Sequence, residues 1–307
     1  MPKAKRPSFT LLNRCLSLSF IAASSAVVMT QALAQAPKLS QAALPESVWA
    51  VTANNELIQV NPATPGKVLQ RKAIKGLMKG ENLVGIDYRV SRGVLFGLTQ
   101  IGRIYTINTA TGDVSPVGAS VAIPGLQDQT VGFDFNPAAD RIRVVTSGDT
   151  NLRFHPETGA QVDFDQKTDG VQADPSLSFA AGDINAGKKP DVVAAAYTYN
   201  KKNDKLTTNY AIDRSLGALL MQGSQEDAQP MMSPNLGQLT TIGSLGLGKL
   251  QDASFDISDL ANVPLAAIRT ANSSKTRLVK IDLKSGYAKT LGTLGNGEPV
   301  SGLAIKP

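Results

Sequence analysis

Cysteine and histidine are almost missing from this chain, with one of each in 307 residues. The single Cys15 sits in an N-terminal stretch that reads as a targeting segment. Once that segment is removed there is no thiol, hence no disulfide and no Cys-ligated metal, even in an oxidising compartment. One histidine excludes His clusters, and any His-based catalytic dyad would have to use His155. The chain also lacks a GxSxG nucleophile elbow, a Walker loop and an HExxH pair. Gly246-x-Gly248 and Gly295-x-Gly297 have no third glycine and no strand-to-helix setting, so both read as turns rather than dinucleotide sites. No catalytic residue is assigned.

A strong excess of one charge is missing too, once the first residues are set aside. Lys3, Lys5, Arg6 and Arg14 precede an apolar run from Cys15 to Val28, and Ala32-Leu33-Ala34 follows. No acidic residue occurs before Glu46. This order predicts a secretory signal peptide over 1–34 and a periplasmic or secreted protein. Arg14 beside Cys15 is wrong for lipid attachment. Removal of four basic residues leaves 27 basic against 25 acidic ones, a balance of +2. The sequence pI of 9.3 therefore reflects the targeting segment and gives no case for nucleic acid. No apolar run reaches the roughly 20 residues of a membrane span. Residues 35–46 read as a flexible leader, and 47–307 as one domain, expected to act as a monomer.

Helical periodicity is scarce as well. What is present is a series of short β-branched and apolar runs broken by Gly, Pro, Asn and Asp, which signals an all-β fold. Five of these runs repeat a hairpin: LIQVNPATPGKVL, IYTINTATGDVSPVG, LRFHPETGAQVDF, YAIDRSLGALLMQG and LVKIDLKSGYAKTLG. A polar hinge falls at Asn61, Asn108, His155, Asp213 and Asp282. Glycine follows four positions later in four copies and five later in the first, as a capped turn with a positive-φ glycine requires.

A second motif precedes the hairpins: Val84-Gly85-Ile86-Asp87-Tyr88, Val131-Gly132-Phe133-Asp134-Phe135, and looser copies at Ser254–Ile257 and Ser301–Ile305. With one more strand between each motif and its hairpin, every unit holds four strands, the content of a propeller blade. The first hairpin lacks an inner strand and the last inner strand lacks a hairpin. The prediction is a β-propeller of about five four-stranded blades, closed by N- and C-terminal strands sharing a blade; a β-sandwich is the alternative. The hinges lie 47, 47, 58 and 69 residues apart, so the later units carry insertions.

At 85–112, 131–160 and FAAGDINAG (179–187), the sequence resembles a family of bacterial exported domains of unknown function, DUF4394. The resemblance covers nearly all of 47–307. It implies a propeller-type fold and carries no activity with it. The family's fourth unit has a Tyr-x-Ile-Asp strand, matched by Tyr210–Asp213, whereas QGSQEDAQPMMSPN (222–235) is longer and more polar than its usual connection.

Three groups of residues invite a functional reading. Asp87, Asp134 and Asp256 could be glycosidase-like carboxylates. Their recurrence at one blade position speaks instead for a structural role, each accepting backbone N–H groups of an adjacent loop. Asp163, Asp165 and Asp169 form an acidic stretch that could hold Ca²⁺, although Lys167 interrupts the ligand spacing of a helix-flanked calcium loop. Arg141, Arg143 and Arg153, with Asn151, form a polar blade and a candidate pocket for a small anion or sugar. The hinge residues Asn108, His155, Asp213 and Asp282 read as turn caps. The expectation is an exported, non-catalytic binding or scaffold propeller for a small molecule, glycan or protein, without a cofactor. The alternative is a hydrolase or lyase acting on carbohydrate or ester with help from Ca²⁺.

Overall fold

The computed structural model describes residues 42–118, 123, 126 and 129–307. The expected signal peptide lies outside the described residues. The protein is a five-bladed β-propeller. The first blade contains β1 (Val48–Thr52), β2 (Glu56–Val60) and β3 (Val68–Ala73), and the second β4 (Leu83–Arg89), β5 (Val94–Thr99), β6 (Ile104–Ile107) and β7 (Val114–Pro116). The third holds β8 (Val131–Asn136), β9 (Arg141–Thr146) and β10 (Asn151–Phe154). The fourth holds β11 (Ser178–Phe179), β12 (Val192–Tyr197), β13 (Asn209–Asp213), β14 (Ala218–Gln222) and β15 (Gln238–Ser244). The fifth holds β16 (Leu250–Ile257), β17 (Pro264–Thr270), β18 (Arg277–Ile281) and β19 (Ala288–Thr293).

The last strand, β20 (Val300–Ile305), is the innermost strand of the first blade. It pairs antiparallel with β1, Trp49 opposite Ala304 and Ala50 opposite Leu303. The ring closes as the complementary missing pieces predicted, and the sandwich alternative falls. Joining the ends in one sheet leaves no free inner edge at the point of closure.

Two blades depart from four strands. The third has a three-stranded ladder, with only the isolated bridge Phe154↔Gln161 where a fourth strand would lie. The fourth has five strands, because β11 adds in parallel to β15. The chain after His155 thus leaves its own blade and is captured by the next, and this accounts for the 58-residue hinge spacing. The 69-residue spacing includes the long connection between β14 and β15.

Buried apolar side chains gather between neighbouring blades, one cluster to each seam among the described residues. The inner strands β4, β8, β12, β16 and β20 approach so closely that glycine becomes a packing requirement. A Cβ on Gly132 would sit 2.6 Å from the Ala195 nitrogen, and one on Gly85 would sit 2.5 Å from Phe133 Cβ. The invariant feature of the inner motif, a small residue two before the Asp, has this steric cause.

Candidate functional site

Among the described residues, polar groups converge on the propeller axis and in a cleft between the third and fourth blades. On the axis, Asp87, Asp134 and Asp256 are 3–6% exposed, and their carboxylate oxygens lie within 4.8 Å of one another. Each carboxylate reaches to the inner strand of the next blade. Phe135 N–H donates to Asp87 at 2.8 Å, Tyr197 N–H to Asp134 at 3.0 Å, and Ile305 N–H to Asp256. The sequence reading placed these donors on adjacent loops; they belong instead to neighbouring strands, so the carboxylates tie blade to blade. Ala196 and Ala304 occupy the equivalent positions of the other two blades and make no such tie.

Burial is the first cause of the electrostatics here. It holds the Asp87 and Asp134 carboxyls well above the ordinary carboxylate range, and the neighbouring Asp charges push the same way. Burial raises Asp256 to about 7 against the opposing pull of the Ile305 and Ile257 N–H groups. The partly buried Asp259 is pushed up to about 8 by burial and then by the Asp256 charge. Such a set relieves its repulsion by retaining protons or by taking up a cation. Two residues earlier on the same strands the axial gap shrinks to about 10 Å³.

The cleft has a volume of about 450 Å³. It exists because alternation on β9 puts Arg141 and Arg143 on one face, and strand register sets Arg153 of β10 directly beside Arg143. Arg143 is 1% exposed and donates from all three of its nitrogens. Its Nε donates to Tyr197 Oη (3.1 Å), its Nη1 to Asn151 Oδ1 and Asp174 Oδ2 (both 2.7 Å), and its Nη2 to Asn235 Oδ1. Asp174 also receives Arg153 through Nε and Nη2. One buried carboxylate therefore serves two guanidinium groups, leaving a net positive charge on the wall. Arg141 is tethered through Nη1 to the Ala139 and Asp140 carbonyls.

The opposite wall comes from the connection between β14 and β15 and from the loop before β13. Here Asn209 Oδ1 and Glu226 Oε2 are buried with no hydrogen-bond partner. The orientation of Asn209 is dictated by its neighbours. Asn151 Nδ2 donates to the Pro175 carbonyl, so its Oδ1 faces Arg143 and also accepts from Gln222 Nε2. Gln222 Nε2 donates to the Pro234 carbonyl as well, which turns Gln222 Oε1 toward Asn209 Nδ2 at 3.2 Å. Asn209 Oδ1 is then left as a free acceptor at the end of a directed chain. Glu226 Oε1 accepts from Asn200 Nδ2 at 3.0 Å, and its Oε2 stands free.

Of the four residues expected at a ligand site, Arg141, Arg143 and Arg153 line this cleft, and Asn151 lies directly behind it. Asp163, Asp165 and Asp169 are not brought together as a carboxylate cluster. Asp163 Oδ1 accepts from the Asp165 and Gln172 N–H groups, and Asp165 from Lys167 N–H and the Thr168 hydroxyl, so these side chains hold their own loop. Asn108, Asp213 and Asp282 each accept from a backbone N–H two or three residues on. His155 keeps the same backbone turn, its carbonyl accepting from Gly159 N–H at 2.8 Å, but its ring forms no cap. Burial, then Arg141 and Arg153, lower its pKa. Asn209 and Glu226 are not singled out by the sequence, and Asp174 enters it only as the end of the acidic stretch; the unusual length of 222–235 is the signal that points to that wall.

Residues 56–304 match the family described as Domain of unknown function (DUF4394), and the chain belongs to that family. No curated protein matches it. Similar solved structures include a structural genomics protein of unknown function from Bacteroides thetaiotaomicron, 13% identical with a TM-score of 0.44, over 82% of this chain and 59% of that one. TolB from Acinetobacter baumannii is 10% identical with a TM-score of 0.43, over 81% and 53%. Hydrazine synthase from Kuenenia stuttgartiensis is 14% identical with a TM-score of 0.37, over 72% and 53%. The chain thus spans between half and three-fifths of the length of these proteins.

Proposed function

We propose that this member of the DUF4394 family is an exported, non-catalytic binding protein whose ligand site is the cleft between the third and fourth blades. The observation that carries the reading is Arg143, a fully buried guanidinium with four side-chain partners at the base of an open 450 Å³ cleft. Small-molecule sites are typically concave, about 300–1,000 Å³, with a few fixed polar groups. Fixing a charge so tightly orients what stands in front of it. Export rests on the basic, apolar and A-x-A order of residues 1–34.

The competing reading, a hydrolase or lyase assisted by Ca²⁺, draws on the convergence of the axial carboxylates. Asp87, Asp134 and Asp256 face one another at 3–6% exposure rather than a substrate, which favours the binding protein.

Saturation-transfer NMR with a panel of sugars, small anions and amino acids tests the site. Ala139 is exposed at the cleft mouth, so Ala139→Trp should plug it without unfolding the protein. Ligands of the unmodified protein should lose their signal in this variant. A silent panel, or ligands indifferent to the plug, would overturn the assignment.

A further inference from the structure

The two walls of the cleft offer opposite chemistry. On one side, Arg141 uses Nη1 on its own loop and Arg153 uses Nε and Nη2 on Asp174. Arg141 Nη2 and Arg153 Nη1 are left without a protein acceptor among the described residues. On the other side, Asn209 is 1% exposed, and its Oδ1 is a buried acceptor without a donor, as is Glu226 Oε2. Leaving a buried acceptor unpaired forfeits the hydrogen bond it had with water in the unfolded chain. Asn209 and Glu226, which carry these two acceptors, both line the cleft, so a ligand seated there can bring the missing donors. Met231 and Met232, 57% and 41% exposed, add an apolar lip.

We infer that the cleft binds a hydroxylated carboxylate of the sugar-acid type. Its carboxylate sits on Arg141 and Arg153, its hydroxyls donate to Asn209 Oδ1 and Glu226 Oε2, and its C–H face rests on the methionines. This rests on the cleft being the binding site, as proposed above. The charge balance selects among ligand classes. Arg141, Arg143, Arg153 and Lys205 stand around the cleft against two carboxylates, Glu226 and the underlying Asp174. The surplus is positive, which favours a net anion over a zwitterionic amino acid. Inorganic phosphate would satisfy the guanidinium groups but would meet Glu226 as a like charge. A neutral sugar would satisfy the acceptors and leave the arginines unanswered. The carboxylate can belong to a free monosaccharide or to one residue of an acidic glycan.

Isothermal titration with D-galacturonate, D-glucuronate and tri-galacturonate tests this, with D-galactose, acetate, L-glutamate and phosphate as the comparison probes. A uronate or the trimer should bind roughly tenfold or more tightly than galactose or acetate, since each of these lacks one half of the recognition. Tri-galacturonate binding well above the monomer assigns the site to a glycan; equal affinity assigns it to the free acid. Arg141→Gln should reduce uronate binding to the level of galactose without changing the melting temperature. Preference for galactose, acetate, glutamate or phosphate that is lost in Arg141→Gln would overturn the sugar acid and leave the cleft standing. Uronate binding insensitive to Arg141→Gln, or no binding by any probe, would overturn both.

Discussion

The seam between the second and third blades and the seam between the third and fourth share a blade yet are built from opposite materials. The first is apolar: Phe96, Leu98, Phe133, Phe135 and Ile142 are all buried, with Phe96 and Phe135 packed edge to face at 5.0 Å. The second has a modest aliphatic cluster around Val145, Leu177 and Leu220. Beside it runs a buried polar chain of Arg143, Asn151, Gln222 and Asn209. Apolar seams need only patterning, which a repeat supplies unit after unit. A polar seam needs each donor and acceptor placed individually, and here the parts come from two insertions that no other blade has. Segment 155–190 delivers Asp174, and 222–235 delivers Glu226 and Asn235. The seam where the repeat breaks is the seam that holds the 450 Å³ cleft.

The largest expected effect tests whether this polar seam is truly buried chemistry. Asp174→Ala removes the shared carboxylate from Arg143 and Arg153. It should cost about 3–5 kcal/mol, because it strands a guanidinium away from water. Urea denaturation measures the loss, and a change below about 1 kcal/mol would mean that the pair behaves as a surface ion pair.

An intermediate effect separates the cleft from the axis. Carboxyls whose folded pKa is raised hold more protons in the folded than in the unfolded state. Asp87, Asp134, Asp256 and Asp259 therefore contribute stability that is full below their ordinary value of about 3.8 and lost at higher pH, for Asp256 and Asp259 as pH rises through about 7–8. Urea midpoints should fall from pH 4 to pH 8. Asp134→Asn keeps an acceptor for Tyr197 N–H and removes a like charge. It should raise stability at pH 8 by about 1–3 kcal/mol, a tenfold change in proton affinity being worth about 1.4 kcal/mol, and change little at pH 4. A midpoint that climbs with pH would sink the account of mutual repulsion.

The smallest effect concerns the hinge. His155→Asn should keep the turn, add the side-chain cap that its sister turns possess, and change stability by no more than about 0.5 kcal/mol. Because its backbone bonds to Ala160 and Gly159 are already in place, a loss beyond about 1 kcal/mol would show that the imidazole supports the cleft through Arg141 or Arg153.

These contrasts also set what could be read from the residues alone. Blade number, ring closure and the Arg141/Arg143 face follow from hinge spacing and strand alternation, both short-range and repeated. That the axial carboxylates meet was not legible. It depends on the radial distance between inner strands, which Gly85, Gly132 and Gly302 set by steric contact across blades. Asn209 reads as an ordinary strand residue until Gln222 and Asn151 fix its orientation. For the acidic stretch at 163–169, local spacing says nothing of whether side chains turn inward on their own loop, as Asp163 and Asp165 do.

The pairing of β1 with β20 has a consequence in time. The partner of Trp49 is Ala304, some 250 residues later in the chain. A first blade assembled early in synthesis can hold only its outer three strands, with its inner edge bare until the final residues are available. Chains grow at about 5–20 residues per second, and unpaired edges invite association. The completed ring is therefore a late event for each molecule, and the slow step of folding should be the seating of the last strand. A protein built this way benefits from being kept unfolded until β20 has been made.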